Sequence, residues 1–102
     1  MKQHAFTMKL KPGYKEEYKK RHDEIWPELE QLLLESGIQK YLIYLDEETG
    51  SLFAYQELDE DYQDVSNNPV VQKWWKYMKD IMDTNPDNSP VEKPLKKVFQ
   101  LD

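Results

Sequence analysis

Residues 38–58 read Ile38-Gln39-Lys40-Tyr41-Leu42-Ile43-Tyr44-Leu45, then Asp46-Glu47-Glu48-Thr49-Gly50, then Ser51-Leu52-Phe53-Ala54-Tyr55-Gln56-Glu57-Leu58. Two runs rich in β-formers flank a polar loop that ends in glycine, which is the pattern of a β-hairpin. Working outward, Gln3 to Leu10 alternates Phe6, Met8 and Leu10 with Thr7 and Lys9, the period of a strand with one buried face. Lys11-Pro12-Gly13 breaks that strand, because proline lacks the ladder donor and glycine supplies a turn.

A helical pattern fills the space from Tyr14 to Ser36. At ~100° per residue, Tyr14, Tyr18, His22, Ile25, Leu29, Leu32 and Leu33 fall in one stripe. Glu16–Lys20 and Glu17–Arg21 sit one turn apart on the outer faces in the favourable order. Pro27 removes a backbone donor inside the pattern, which predicts a kink or restart near Trp26, and Gly37 fits the terminator. Beyond the hairpin, Asp59-Glu60-Asp61 reads as a short acidic helical turn. Asn67-Asn68-Pro69 reads as a cap with proline at the first helical position. Val70, Val71, Trp74, Tyr77, Met78, Ile81 and Met82 form the next helical stripe. The proline-rich segment Asn85–Pro94 is expected as an extended loop, and Val98–Leu101 as a last short strand.

The order is therefore β-α-β-β-α-β, an α+β fold of the ferredoxin-like type. Helices on one face leave the other sheet face uncovered, which predicts a homodimer. At 102 residues the chain is expected to form a single domain over 1–102, with no room for a separate cofactor domain.

Composition narrows the chemistry. With 14 Lys+Arg against 20 Asp+Glu the net charge is −6, which argues against nucleic acid as a partner. Zero cysteines exclude a thiol nucleophile, an iron–sulfur cluster and a Cys-based zinc site. No run approaches the ~18–20 apolar residues of a membrane span, and no signal-peptide pattern opens the chain, so a cytoplasmic location without membrane association is expected. The apolar fraction is only 38% but aromatics are 13%, an imbalance toward rings.

Two histidines are present, and they read differently. His4 lies near the chain start on the first strand and reads as a surface or strand-end residue. His22 sits within the apolar stripe one turn after Tyr18, where both can act on one ligand; the alternative is a core histidine satisfied by a backbone carbonyl. Tyr14, Tyr18, Tyr41, Trp74 and Trp75 offer flat apolar faces with a donor at the edge, which suits sugars, although core filling explains any single ring. Trp74 and Trp75 lie ~100° apart, so one packs while the other borders a cavity. Imidazole handles protons near neutrality, which fits proton shuffling on a hydroxylated neutral molecule. Other motifs are weak. His22-Asp23-Glu24 lacks the second ligand of a zinc helix, so no metal is expected. Lys19-Lys20-Arg21 reads as a solvated face, and Asp87 and Asn88 as cap or turn residues that could contact hydroxyls.

Several blocks carry a resemblance: Glu17-Tyr18, Arg21-His22, Ile25-Trp26-Pro27-Glu28-Leu29-Glu30, Tyr44-Leu45-Asp46, Trp74-Trp75-Lys76-Tyr77-Met78 and Asn85-Pro86-Asp87-Asn88-Ser89-Pro90-Val91. Together, in this order, they resemble the L-rhamnose mutarotase family from about Ala5 to Phe99. The similarity is weak across Glu57–Val70 and Glu92–Lys97, which read as surface. The resemblance implies a cofactor-free enzyme that interconverts the α and β anomers of L-rhamnose, built as a dimeric α/β barrel. It also implies His22 as proton donor and Tyr18, Tyr41, Trp74 and Trp75 as sugar contacts; Tyr41 enters on the resemblance alone. Two rivals stay open at this point: another cofactor-free activity on the same fold, such as oxygenation of an aromatic substrate, and a non-catalytic sugar-binding dimer.

Overall fold

The computed structural model describes residues 1–102. In chain order the elements are β1 (Lys2–Lys9), α1 (Lys15–Asp23), α2 (Pro27–Glu35), β2 (Ile38–Leu45), β3 (Ser51–Leu58), α3 (Pro69–Met78) and β4 (Lys93–Pro94). They form one antiparallel sheet in the order β2-β3-β1-β4. This is the expected α+β arrangement, with the first helical region split in two.

The split has a local cause. Trp26 precedes Pro27 and takes an extended ψ of 130°, the region that a following proline imposes. α1 therefore stops at Asp23 and α2 restarts with Pro27 as its first residue. α3 starts as its sequence predicts: Asn68 caps it by accepting the Val70 N–H at 2.9 Å, and Pro69 follows.

Two expectations fail. Asp59-Glu60-Asp61 forms a turn and not a helix, because the Asp59 carboxylate accepts the Asp61 N–H at 2.9 Å and closes an Asx turn. The last strand is Lys93–Pro94 and not Val98–Leu101. The edge of β1 pairs Phe6 with Pro94 and Thr7 with Lys93, and the Leu95 N–H then reaches the Ala5 carbonyl at 2.9 Å. Past that point the ladder ends, and Val98, Phe99 and Leu101 stand exposed.

Alternation along the strands divides the sheet. Phe6 and Met8 of β1, Leu52 and Ala54 of β3, and Ile43 and Leu45 of β2 face the helices. Tyr18 of α1, Met78 of α3, and Leu10, Ile81 and Met82 complete this core. Ile81 and Met82 continue the stripe of α3 although the helix ends at Met78. The opposite face carries Leu42, Tyr44 and Phe53, all of them exposed.

Candidate active site

The space between helices and sheet is a cavity of about 1520 Å³. That exceeds the roughly 300–1,000 Å³ of a usual small-molecule cleft and leaves room for an opened sugar chain. Tyr18, His22, Tyr41, Trp74 and Trp75 all line it, so every expected site residue meets in one place. Tyr14, the first ring of the stripe, does not join them; it is exposed at the start of α1.

Helical spacing sets the His22 geometry. Tyr18 and His22 lie one turn apart on α1, with ring centroids 4.3 Å apart. His22 Nδ1 lies 3.1 Å from the Tyr18 carbonyl oxygen. A carbonyl only accepts, so Nδ1 carries a proton and Nε2 is the nitrogen left free. The edge of Trp74 closes the other side at 5.5 Å. Burial lowers the His22 pKa from 6.5, partly opposed by the Tyr18 carbonyl and by Asp23. A protonated His22 is thereby a stronger acid than free imidazolium.

The two adjacent tryptophans divide as their angular separation requires. Trp74 packs against the core and meets Trp26 edge-on at 5.1 Å, with Tyr77 at 5.7 Å. Trp75 lines the cavity without a ring partner. Trp26, from the loop before α2, thus buttresses the wall. Its block carried the family resemblance but gave no hint of that role.

Arg21 departs from the solvated face read for Lys19-Lys20-Arg21. Its guanidinium bonds Glu17 at 2.7 Å, Asp80 at 2.9 and 3.2 Å, and the Tyr77 carbonyl at 2.8 Å. It also lies 4.4 Å over the Tyr77 ring. Arg21 therefore ties α1 to the end of α3, beside His22 in the chain and over the Tyr77 ring that meets Trp74.

On the sheet side, Tyr41 pairs with Gln56 and Gln56 with His4, a row across β2, β3 and β1. Burial and then the nearby Glu92 push the Tyr41 hydroxyl up to about 12. Tyr18 is raised by burial and then by Tyr41, so both phenols remain protonated near neutrality and act as donors. His4 is not the exposed strand end its position predicts: it is half-buried, lines the cavity and stacks on Phe6 at 4.9 Å. Its parity with Phe6 and Met8 was the available signal. Glu92, read as surface, is exposed as expected and also borders the cavity, which no sequence pattern marked. In the proline-rich loop the roles separate. Asp87 accepts the Ser89 N–H and hydroxyl at 3.0 and 2.5 Å and shapes the turn, whereas Asn88, at φ 73°, lines the cavity.

A family model described as L-rhamnose mutarotase matches residues 3–101. The chain belongs to the L-rhamnose mutarotase family. It is 56% identical over 104 residues to the L-rhamnose mutarotase of Bacteroides thetaiotaomicron, covering 100% of both chains. It is 59% identical over 100 residues to that of Flavobacterium johnsoniae, covering 96% of this chain and 94% of the relative. The crystal structure of L-rhamnose mutarotase from Formosa agariphila superposes with a TM-score of 0.94 at 51% identity and full coverage of both chains. The ring-lined cavity with His22 on its wall is thus set in a mutarotase-family fold.

Proposed function

We propose that the protein is an L-rhamnose mutarotase that interconverts the α and β anomers by opening and reclosing the pyranose ring. The observation that supports this reading best is His22, held between Tyr18 and Trp74 in the cavity with Nδ1 occupied and Nε2 free. The sugar's apolar C–H face packs on Trp74 and Trp75, while the Tyr18 and Tyr41 hydroxyls donate to its oxygens.

As the imidazolium, protonated on Nε2 as well as Nδ1, His22 delivers its Nε2 proton to the ring oxygen, and the anomeric hydroxyl loses one. The C1–O5 bond opens to the aldehyde, rotation about C1–C2 presents the other face, and the ring recloses. Sugars mutarotate unaided in water, so the demand on the protein is modest. A positioned acid supplies roughly 10²–10⁴-fold, or about 3–5 kcal/mol of barrier.

The unit 1–102 acts as a single domain and works as a homodimer, its uncovered sheet faces closing into a dimeric α/β barrel. Exposed Leu42, Tyr44 and Phe53 on that face support this assembly. We place it in the cytoplasm, where a free sugar enters metabolism.

Saturation transfer between the two anomeric protons of L-rhamnose, with and without protein, tests the activity. Wild type is expected to accelerate exchange, and His22→Asn to lose about 10²-fold or more of that acceleration. Exchange at the buffer rate with wild type refutes the activity. An unimpaired His22→Asn variant refutes only the proton donor.

A further inference from the structure

A second set of proton-handling groups faces the cavity, and the transfers assigned to His22 leave it unused. The row His4–Gln56–Tyr41 lies on the helix-facing side of the sheet, in line with Phe6, Ala54 and Ile43. Glu92, just before β4, shares the cavity with that row and with His22. The Glu92 carboxylate makes no ion pair and no hydrogen bond within the chain. Glu92 is solvent-exposed where it borders the cavity, so its carboxylate oxygens stand free to accept a proton from a bound molecule.

Tyr18 stacks on His22, and Tyr18, His22, Tyr41 and Glu92 all line the same cavity. Glu92 directly precedes Lys93, which pairs with Thr7 at the edge of β1. Ring opening needs a proton acceptor for the anomeric hydroxyl close to the donor for the ring oxygen, since both oxygens sit on C1. The phenols are raised away from neutrality and do not qualify. Of the other carboxylates on the lining, Asp23 and Glu47 are paired with Lys19 and Lys15, Asp64 accepts the Ser66 N–H, and Glu30 belongs to α2 and not to the sheet side; Gln56 has no basic atom.

We propose that Glu92 is the general base of the reaction, taking the anomeric hydroxyl proton while His22 protonates the ring oxygen. The inference rests on the sugar reading above. The electron pair of the C1–O5 bond goes to O5, which takes the His22 Nε2 proton. The O1–H proton passes to Glu92 and C1=O1 forms. After rotation, His22 recovers the O5 proton, and Glu92 returns its proton to O1 as the ring closes, so both groups are restored.

The groups facing Glu92 are His4 from β1, Tyr41 from β2, and Tyr62 and Asp64 from the segment before α3. Desolvation raises the Glu92 carboxyl above its usual range, His4 opposes the rise and Asp64 adds to it. Glu92 is thereby a stronger base than a free carboxylate, and His4 is its positioning residue.

The pH profile of anomer exchange in wild type, Glu92→Gln and His4→Gln tests this. With cationic His22 and ionised Glu92 required, wild type shows a bell, Glu92 setting the acid limb and His22 the alkaline limb. Glu92→Gln is expected to lower the saturated exchange rate about 10²-fold or more, with KM little changed and the acid limb gone. His4→Gln should move that limb to higher pH. An active wild type with Glu92→Gln within twofold of it overturns this inference alone, whereas an inactive wild type overturns the sugar reading and this inference with it. Should Glu92→Gln fail to fold, carboxyl-carbon NMR of wild type decides: saturating L-rhamnose is expected to shift the Glu92 titration, and an unmoved titration overturns the assignment.

Discussion

His22 Nδ1 stands 3.1 Å from the carbonyl oxygen of Tyr18, the residue one helical turn before it, and the two rings stack at 4.3 Å. One residue thus fixes the imidazole twice, by its backbone and by its side chain. The contact occupies the nitrogen that points back along α1 and leaves the other for chemistry. Because Tyr18 also belongs to the core with Leu52 and Met78, the orientation of the acid is tied to packing and not to a mobile loop.

That placement makes folding pH-dependent. Burial lowers the His22 pKa below 6.5, so as pH falls through that range the unfolded chain takes up a proton before the folded one does. Stability must therefore decline as pH falls from neutrality through the ordinary imidazole range, independently of the carboxylates. In urea unfolding, wild type is expected to lose stability relative to His22→Asn across this window. A difference that stays constant with pH would contradict a neutral, buried His22.

Arg21 is the strut between α1 and α3. Its guanidinium joins Glu17, the Asp80 carboxylate and the Tyr77 carbonyl, and its side chain is only 10% exposed. Arg21→Lys keeps the charge but loses the planar fork that serves these partners together. Charge-assisted bonds are worth about 1.5–3 kcal/mol each, but Asp80 is 61% exposed and its share is discounted. Arg21→Lys is expected to cost about 1–2 kcal/mol in chemical unfolding. It should also raise KM for L-rhamnose through a shifted Tyr77–Trp74 pair. Unchanged stability would show that the network contributes nothing measurable.

The elements that were legible from sequence are those decided locally. Pro27 ended one helix and began another for steric reasons confined to Trp26 and Pro27, and the hairpin 38–58 followed from its two strand-forming runs. The last strand was not legible, since Val98-Phe99-Gln100-Leu101 has the better strand composition and Lys93-Pro94 the better position against β1. The site divides in the same way. Tyr18, His22 and Trp74 converge because helical periodicity places them, whereas Tyr41 sits in a strand apolar on both faces, where alternation cannot tell cavity from solvent. Glu92 reaches the cavity only through the path of the 83–94 loop, which leaves no periodic trace.

The uncovered sheet face makes the proposed dimer testable at single residues. Tyr44 and Phe53 are paired neighbours on it, 66% and 43% exposed. Charges placed there meet water in a monomer but become buried and unpaired in a face-to-face dimer. Tyr44→Glu with Phe53→Lys preserves net neutrality of the pair on one subunit, whereas Phe53→Glu alone adds an uncompensated charge. Phe53→Glu is expected to convert a dimer to a monomer in sedimentation velocity at micromolar concentration, with near-native circular dichroism. If the single variant sediments as wild type does, this face is not the interface.

Gly37 connects α2 to β2 at a φ of +109°, where a side chain is strained whatever the space around it. Space is lacking as well: a Cβ there would stand 2.9 Å from both the Asp59 carboxylate and the Tyr62 backbone. Tyr62 cannot yield freely, because the Asp59 N–H donates to the Gly37 carbonyl and the Gln63 N–H to that of Ser36, at 2.9 and 2.8 Å. The strain and the clash act together, so Gly37→Ala is expected to destabilise the fold by roughly 1–3 kcal/mol. Because the displaced segment leads to Tyr62 and Asp64 on the cavity wall, the same substitution should also weaken sugar binding. Urea unfolding and L-rhamnose titration of the variant read the two effects separately. A Gly37→Ala protein as stable as wild type would mean that the 59–63 turn moves at no cost, and the binding loss should then vanish with it.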